Sequence, residues 1–133
     1  MSEPLATSVS VELRADTRAP SVARRFISAT CEASGIDPDT CATAALLVSE
    51  LVANAVIHAH TEVLMHVQPA AQRLRVEVSD GDPTGDVHVQ PIDPAAMAGR
   101  GLQLLNALAD NWGVHTTTTS KTVWFELTIP AQQ

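Results

Sequence analysis

Between Ala42 and His58 a few polar side chains interrupt an otherwise apolar stretch, and their spacing is the first sign of chemistry. At about 100° per residue, Thr43, Glu50, Asn54 and His58 fall within roughly 80° of one another on a helical wheel. Apart from Ser49, the rest of the segment is Ala, Leu, Val or Ile. A surface helix normally carries a polar face about half its circumference wide. A helix as apolar as this one is therefore expected to be buried on most sides. A buried carboxylate is costly unless something pairs with it. Glu50 and Asn54 stack on one face, one turn apart, and point together into whatever space that stripe faces. Two readings stay open: a ligand pocket holding a metal ion and a reactive hydroxyl, or a thin solvated edge where both side chains are merely hydrated.

Two further segments carry chemical potential. Val76-Glu77-Val78-Ser79-Asp80-Gly81-Asp82-Pro83 sets acidic residues just past a strand end, where a sheet holds the backbone and a loop supplies side chains. An ordinary Asp-Gly turn gives the same pattern. Gly99-Arg100-Gly101-Leu102 leads directly into a helix. Glycines there let backbone N–H groups approach a phosphate, whose charge the helix dipole favours. A lone Gly-x-Gly is weak evidence, and it lacks both the strand-first context of a dinucleotide fingerprint and the Walker pattern.

The elements that must position these groups follow from periodicity. Leu5–Leu13 alternates loosely, as an edge strand would. A helix opens at Thr17-Arg18-Ala19-Pro20 and stops at Gly35. Asp37-Pro38-Asp39 restarts a helix that runs to about His58. Glu62–Gln68 and Arg73–Ser79 form two strands, the second alternating cleanly, joined through Pro69-Ala70-Ala71-Gln72. Asp80–Arg100 is a long loop with one helical turn near Ala95-Ala96, and a loop of that length in a small domain is usually functional. Gly101–Ala109 is a short helix, and Val114–Thr119 and Thr122–Ile129 a final strand pair. This order predicts an α+β fold: a two-layer sandwich with a mixed, mostly antiparallel sheet and helices on one face.

Composition narrows the classes. The 133 residues fit a single domain, with a core over about 20–129. Lys and Arg number 8 against 15 Asp and Glu, a formal charge of -7, which argues against nucleic-acid and anionic-membrane binding. Trp112, Trp124, Phe26 and Phe125 are the only aromatic residues, too few for a base-stacking platform, and both tryptophans are expected as core anchors. No apolar run is expected to reach the roughly 20 residues of a membrane span. The N-terminus shows no secretory signal. Cys31 and Cys41 fit no zinc spacing and suit buried, reduced thiols of a cytoplasmic protein. His58, His60 and Glu62 could suggest a metal cluster, but structural or surface roles are the plainer reading for the histidines. Arg24 and Arg25 are expected on a solvated helix face.

The order of the three polar segments resembles the Bergerat-fold ATPases, the superfamily that includes the histidine kinases. Ser49-Glu50-Leu51-Val52-Ala53-Asn54-Ala55-Val56-Ile57-His58-Ala59 is similar to its N-box. Ser79-Asp80-Gly81-Asp82-Pro83 is similar to its first glycine box, and Gly99-Arg100-Gly101-Leu102 to its second. The ending Lys121-Thr122-Val123-Trp124-Phe125-Glu126-Leu127 and the size resemble the small anti-sigma-factor serine kinases, most closely the short ATP-binding regulators of actinomycetes. The likeness runs from about Arg24 to Leu127.

The resemblance implies roles at the matching positions. Asn54 would hold Mg²⁺ bridging the ATP phosphates, and Glu50 would accept the proton of an attacking serine hydroxyl. Asp80 would accept a hydrogen bond from the adenine amino group, with Gly81, Asp82 and Thr122 beside the nucleotide. Gly99, Arg100, Gly101 and Leu102 would line the phosphates. Asp82 and Thr84 stand where relatives have the later glycines of the first box, and Lys121 replaces a threonine that supports the adenine contact. The function implied is an ATP- and Mg²⁺-dependent serine/threonine kinase and anti-sigma factor that phosphorylates an anti-sigma-factor antagonist of the sulfate-transporter-like type. It would sequester a sigma factor, and a homodimer is expected. The alternatives are an interaction module that binds nucleotide without phosphoryl transfer, and a nucleotide-free structural protein.

Overall fold

The computed structural model describes residues 8–59, 61–82 and 100–131. Over these the chain runs β1 (Val9–Leu13), α1 (Ala19–Ala33), α2 (Pro38–Ala59), β2 (Val63–Pro69), β3 (Arg73–Asp80), α3 (Arg100–Leu108), β4 (Asn111–Thr116) and β5 (Lys121–Thr128). The sheet order is β1-β2-β3-β5-β4, and each of its pairings is antiparallel. The expected α+β sandwich is what forms, with β1 at an edge. Residues 5–7 of the predicted first strand and the loop from Pro83 to Gly99 lie outside the described residues, and the turn near Ala95-Ala96 falls with them.

Alternation in the strands decides which face meets the helices. Val63, Met65 and Val67 of β2, Leu74, Val76 and Val78 of β3, and Val123, Phe125 and Leu127 of β5 are buried. The residues between them turn to the opposite, polar face, where Arg75 pairs with Glu77 at 3.0 Å and Glu126 at 3.2 Å. Trp124 lies on that face too, with the Arg75 guanidinium 4.3 Å from its ring centroid. It is therefore a cation-π partner of the open face and not the core anchor expected from sequence. Trp112, by contrast, packs half-buried against the core.

The helices cover the apolar face. Pro20 sits in the first turn of α1, and Ala19, Ala23, Ile27 and Cys31 form its buried stripe. Gly35 ends it at φ 72, with the Ile36 N–H donating to Cys31 O at 3.0 Å. Asp37 then caps α2 through the Thr40 N–H at 3.0 Å. Hydrogen bonds from Thr40, its hydroxyl first and its N–H second, hold the Asp37 carboxyl below its ordinary value. In α2, Ala44, Leu47, Val48, Leu51, Val52 and Ala55 face the core. Leu46 and Ile57 are 41% and 50% exposed, so one apolar side of α2 meets solvent and the helix is less enclosed than its composition suggests. Pro38–Ile57 is also long and apolar enough to cross a membrane by length and composition alone, with a mean hydropathy of 1.7, contrary to the sequence expectation. Here its apolar stripe is spent on α1 and the sheet.

Candidate functional site

Chain connectivity brings one end of the sandwich together. Ala59 closes α2, β2 begins at Val63, and Leu64 pairs with Ser79 near the end of β3. Asp80, the last residue of β3, pairs in register with Lys121, the first of β5. The end of α2, the start of β2, the end of β3 and the start of β5 therefore share one rim. Thr61 ties the rim shut: its Oγ1 accepts the Gly81 N–H at 2.9 Å. A Cβ on Gly81 would stand 3.4 Å from the Thr61 methyl, ordinary contact distance, so this glycine is not demanded by space.

Asp80 shares the parity of Val76 and Val78 and so faces the helices, 6% exposed. Its Oδ1 accepts the Asp82 N–H at 2.9 Å, an Asx turn at the end of β3. Its Oδ2 lies 3.6 Å from Lys121 Nζ. Among the described residues these two are the only charged side chains that are buried, and they sit beside each other on a face otherwise apolar.

Thr122 goes the other way. It shares parity with Trp124 and Glu126, and its hydroxyl lies 2.7 Å from Ser79 Oγ on the open face of the sheet. Of the two residues around that strand start, Lys121 accompanies Asp80 and Thr122 does not. The signal was present in the sequence: Lys121 shares the odd-numbered parity of the buried Val123, Phe125 and Leu127.

Glu50 and Asn54 are half-buried on one flank of α2, between the core stripe and the exposed side that carries Leu46 and Ile57. The helix that carries them packs on β2, β3, β5 and α3. α3 begins at Arg100, with Gly101 in its first turn, and is anchored by the buried Leu102 and Leu105. Gly99 lies outside the described residues, as do His60 and the His58 side chain of the His58-His60-Glu62 set. Among the described residues no group of three or more His, Cys, Asp or Glu side chains could hold a metal. The Asn54 amide oxygen and the Glu50 carboxylate are hard oxygens of the kind Mg²⁺ accepts. Mg²⁺ usually takes one or two protein ligands and completes its shell with phosphate and water.

The strongly perturbed groups lie elsewhere. Cys31 is pushed up to about 12, first by burial and then by the neighbouring Cys41, itself raised by burial. Both are free thiols, as expected. A cavity of about 410 Å³ opens beside Gly35, Ala71, Gln72 and Thr128, at the hairpin end of the sheet, and no candidate residue lines it.

Comparison with known proteins agrees with the fold. The family described as the histidine kinase-like ATPase domain matches residues 13–127. A solved structure, the RsbU and RsbW domains of Rv1364c from Mycobacterium tuberculosis, superposes with a TM-score of 0.73 at 18% identity. The match covers 96% of this chain and 34% of that one, so this chain spans about a third of its length. No curated protein matches.

Proposed function

Because the chain belongs to the histidine kinase-like ATPase domain family, whose activity implies ATP binding, we propose that it acts as an anti-sigma regulator and serine/threonine kinase. It takes ATP at the rim formed by α2, β3, β5 and α3. The observation that carries this reading is Asp80: a carboxylate 6% exposed at the end of β3, turned toward the helices on an apolar face. A buried carboxylate is costly unless it is fully hydrogen-bonded, and Asp80 has the Asp82 N–H on one oxygen and Lys121 Nζ at 3.6 Å from the other. It is suited to accept a hydrogen bond from an exocyclic amine while an apolar wall holds the ring.

The remaining residues supply what phosphoryl transfer needs, mainly positioning and charge neutralisation. Asn54 would hold Mg²⁺ through its amide oxygen without adding negative charge beside a triphosphate. The ion, when bound, neutralises charge on the phosphate oxygens. Glu50, one turn earlier, would accept the proton of the attacking hydroxyl. The backbone N–H groups at the start of α3, from Arg100 through Leu102, with Gly99 before them, would meet the phosphates. Gly81 and Asp82 would shape the loop around the base. Thr122 would act from behind the sheet, through its hydrogen bond with Ser79.

The partners in this reading are a sigma factor and an anti-sigma-factor antagonist of the sulfate-transporter-like type, with the chain as a homodimer in the cytoplasm. The RsbW domain in the name of the structural relative supports the first two. The free thiols suit a reducing compartment. A second reading, nucleotide binding without transfer, is favoured by Asp82 and Thr84 at the positions of the missing glycines. Incubation with γ-labelled ATP and the antagonist separates them. Transfer that disappears in Glu50→Ala supports the kinase, and no transfer by the wild type supports the module.

A further inference from the structure

The Asx turn accounts for one oxygen of Asp80, but packing does not account for the lysine beside the other. Both side chains are more than nine-tenths buried, at 4% and 9% side-chain exposure. Taking two charges out of water is expensive, and well-packed apolar residues in their place are often as stable or more so. Their neighbours on the same face, Val78 and Val123, show that apolar residues are accommodated there. At 3.6 Å, Oδ2 and Nζ lie beyond a direct hydrogen bond, so the two groups attract without saturating each other. Asp80 accepts from the Asp82 N–H on its other oxygen. A carboxylate offers about four acceptor sites and an ammonium three donors. The pair thus presents an acceptor and a donor side by side, at the rim and aimed toward the helices.

We infer that Lys121 is a base-specificity residue: the Asp80–Lys121 pair reads the amidine edge of adenine, Asp80 accepting from the exocyclic N6–H and Lys121 Nζ donating to the ring N1. This rests on the adenine reading of Asp80 proposed above and adds a second, direct contact to it. Adjacent donor and acceptor atoms on the ring edge meet adjacent acceptor and donor atoms on the protein. The residue that departs from the threonine of relatives then becomes a reader of the base.

The test pairs an atom of the ligand with an atom of the protein. ADP and 1-deaza-ADP, in which C–H replaces N1, are titrated calorimetrically into the wild type and Lys121→Met. The wild type binds 1-deaza-ADP about tenfold more weakly than ADP, as befits loss of one charge-assisted hydrogen bond, and Lys121→Met binds both alike. A wild type indifferent to the deletion, or an equal penalty in both proteins, overturns the inference. No ADP binding by the wild type overturns the adenine reading beneath it. Lys121→Met leaves Asp80 buried without its partner and can fail to fold, so an independent measurement uses unaltered protein. The Lys121 ¹⁵Nζ resonance shifts more with ADP than with 1-deaza-ADP, and equal shifts overturn the proposal.

Discussion

At the scale of single residues, packing and burial give sharp expectations. Cys31 is held protonated far above the ordinary thiol range, to about 12, chiefly by burial beside Cys41. Because the folded value lies above the unfolded one, the stability this contributes is fully present below the unfolded thiol value and lost as pH rises through the folded value. Iodoacetamide at mildly alkaline pH should therefore leave native protein unlabelled and modify both cysteines in urea. Labelling of native protein at the rate of a free thiol would show that the α1–α2 interface opens locally. Gly113 is constrained by its neighbour: a Cβ there would stand 2.8 Å from Trp124 Nε1, and the indole is backed by Arg75. Gly113→Ala should cost about 1–3 kcal/mol in urea unfolding, the usual range for overpacking. A change within about 0.5 kcal/mol would mean that Trp124 gives way freely.

At the scale of elements, the start of α2 is set by one side chain. Asp37 accepts the Thr40 N–H, and bonds from Thr40 lower its carboxyl. A lowered carboxyl contributes stability above its unfolded value, about 3.9, that is lost as pH falls through the folded one. Asp37→Ala should destabilise by about 1 kcal/mol at neutral pH, and the gap between variant and wild type should close in acid. A constant gap across that range would assign the effect to packing instead. Most elements were legible because their periods are unambiguous: β3 alternates over its whole length, and α1 and α2 carry proline and glycine at their boundaries. β4 was not. Its predicted span began at Val114, but the strand runs Asn111–Thr116, since Asn111 and Trp112 pair with Glu126 and Phe125. Thr117–Ser120 is taken instead by a turn closed by the Thr117 N–H donating to Ser120 O at 2.9 Å. A threonine run has high strand propensity, and only the tertiary register shows that its hydroxyls serve the turn.

At the scale of the whole molecule, the question is which end binds. Glu50, Asn54 and Asp80 were legible as motif residues because their types are unusual in apolar surroundings. Alternation along β5 already turns Lys121 inward and Thr122 to the open face, but that Lys121 stands beside Asp80 depends on cross-strand register, which no local pattern carries. Ligand that binds the native state must raise its stability, by about 2.7 kcal/mol at a concentration of about 100 times Kd. ATP with Mg²⁺ should raise Tm accordingly, and Asn54→Ala should blunt the rise in Mg²⁺ but leave the metal-free response largely intact. An equal rise in both proteins would remove Asn54 from the site. The most direct measurement needs no substitution: ¹H–¹⁵N correlation spectra of labelled protein recorded as MgADP is added. The account predicts that the largest shifts fall on amides of Gly81, Asp82, Lys121, the last two turns of α2 and the first turn of α3, with Ser34, Ala71 and Thr128 unmoved. Shifts centred instead on that second group, around the cavity at the opposite end, or no shifts at saturating nucleotide, would contradict it.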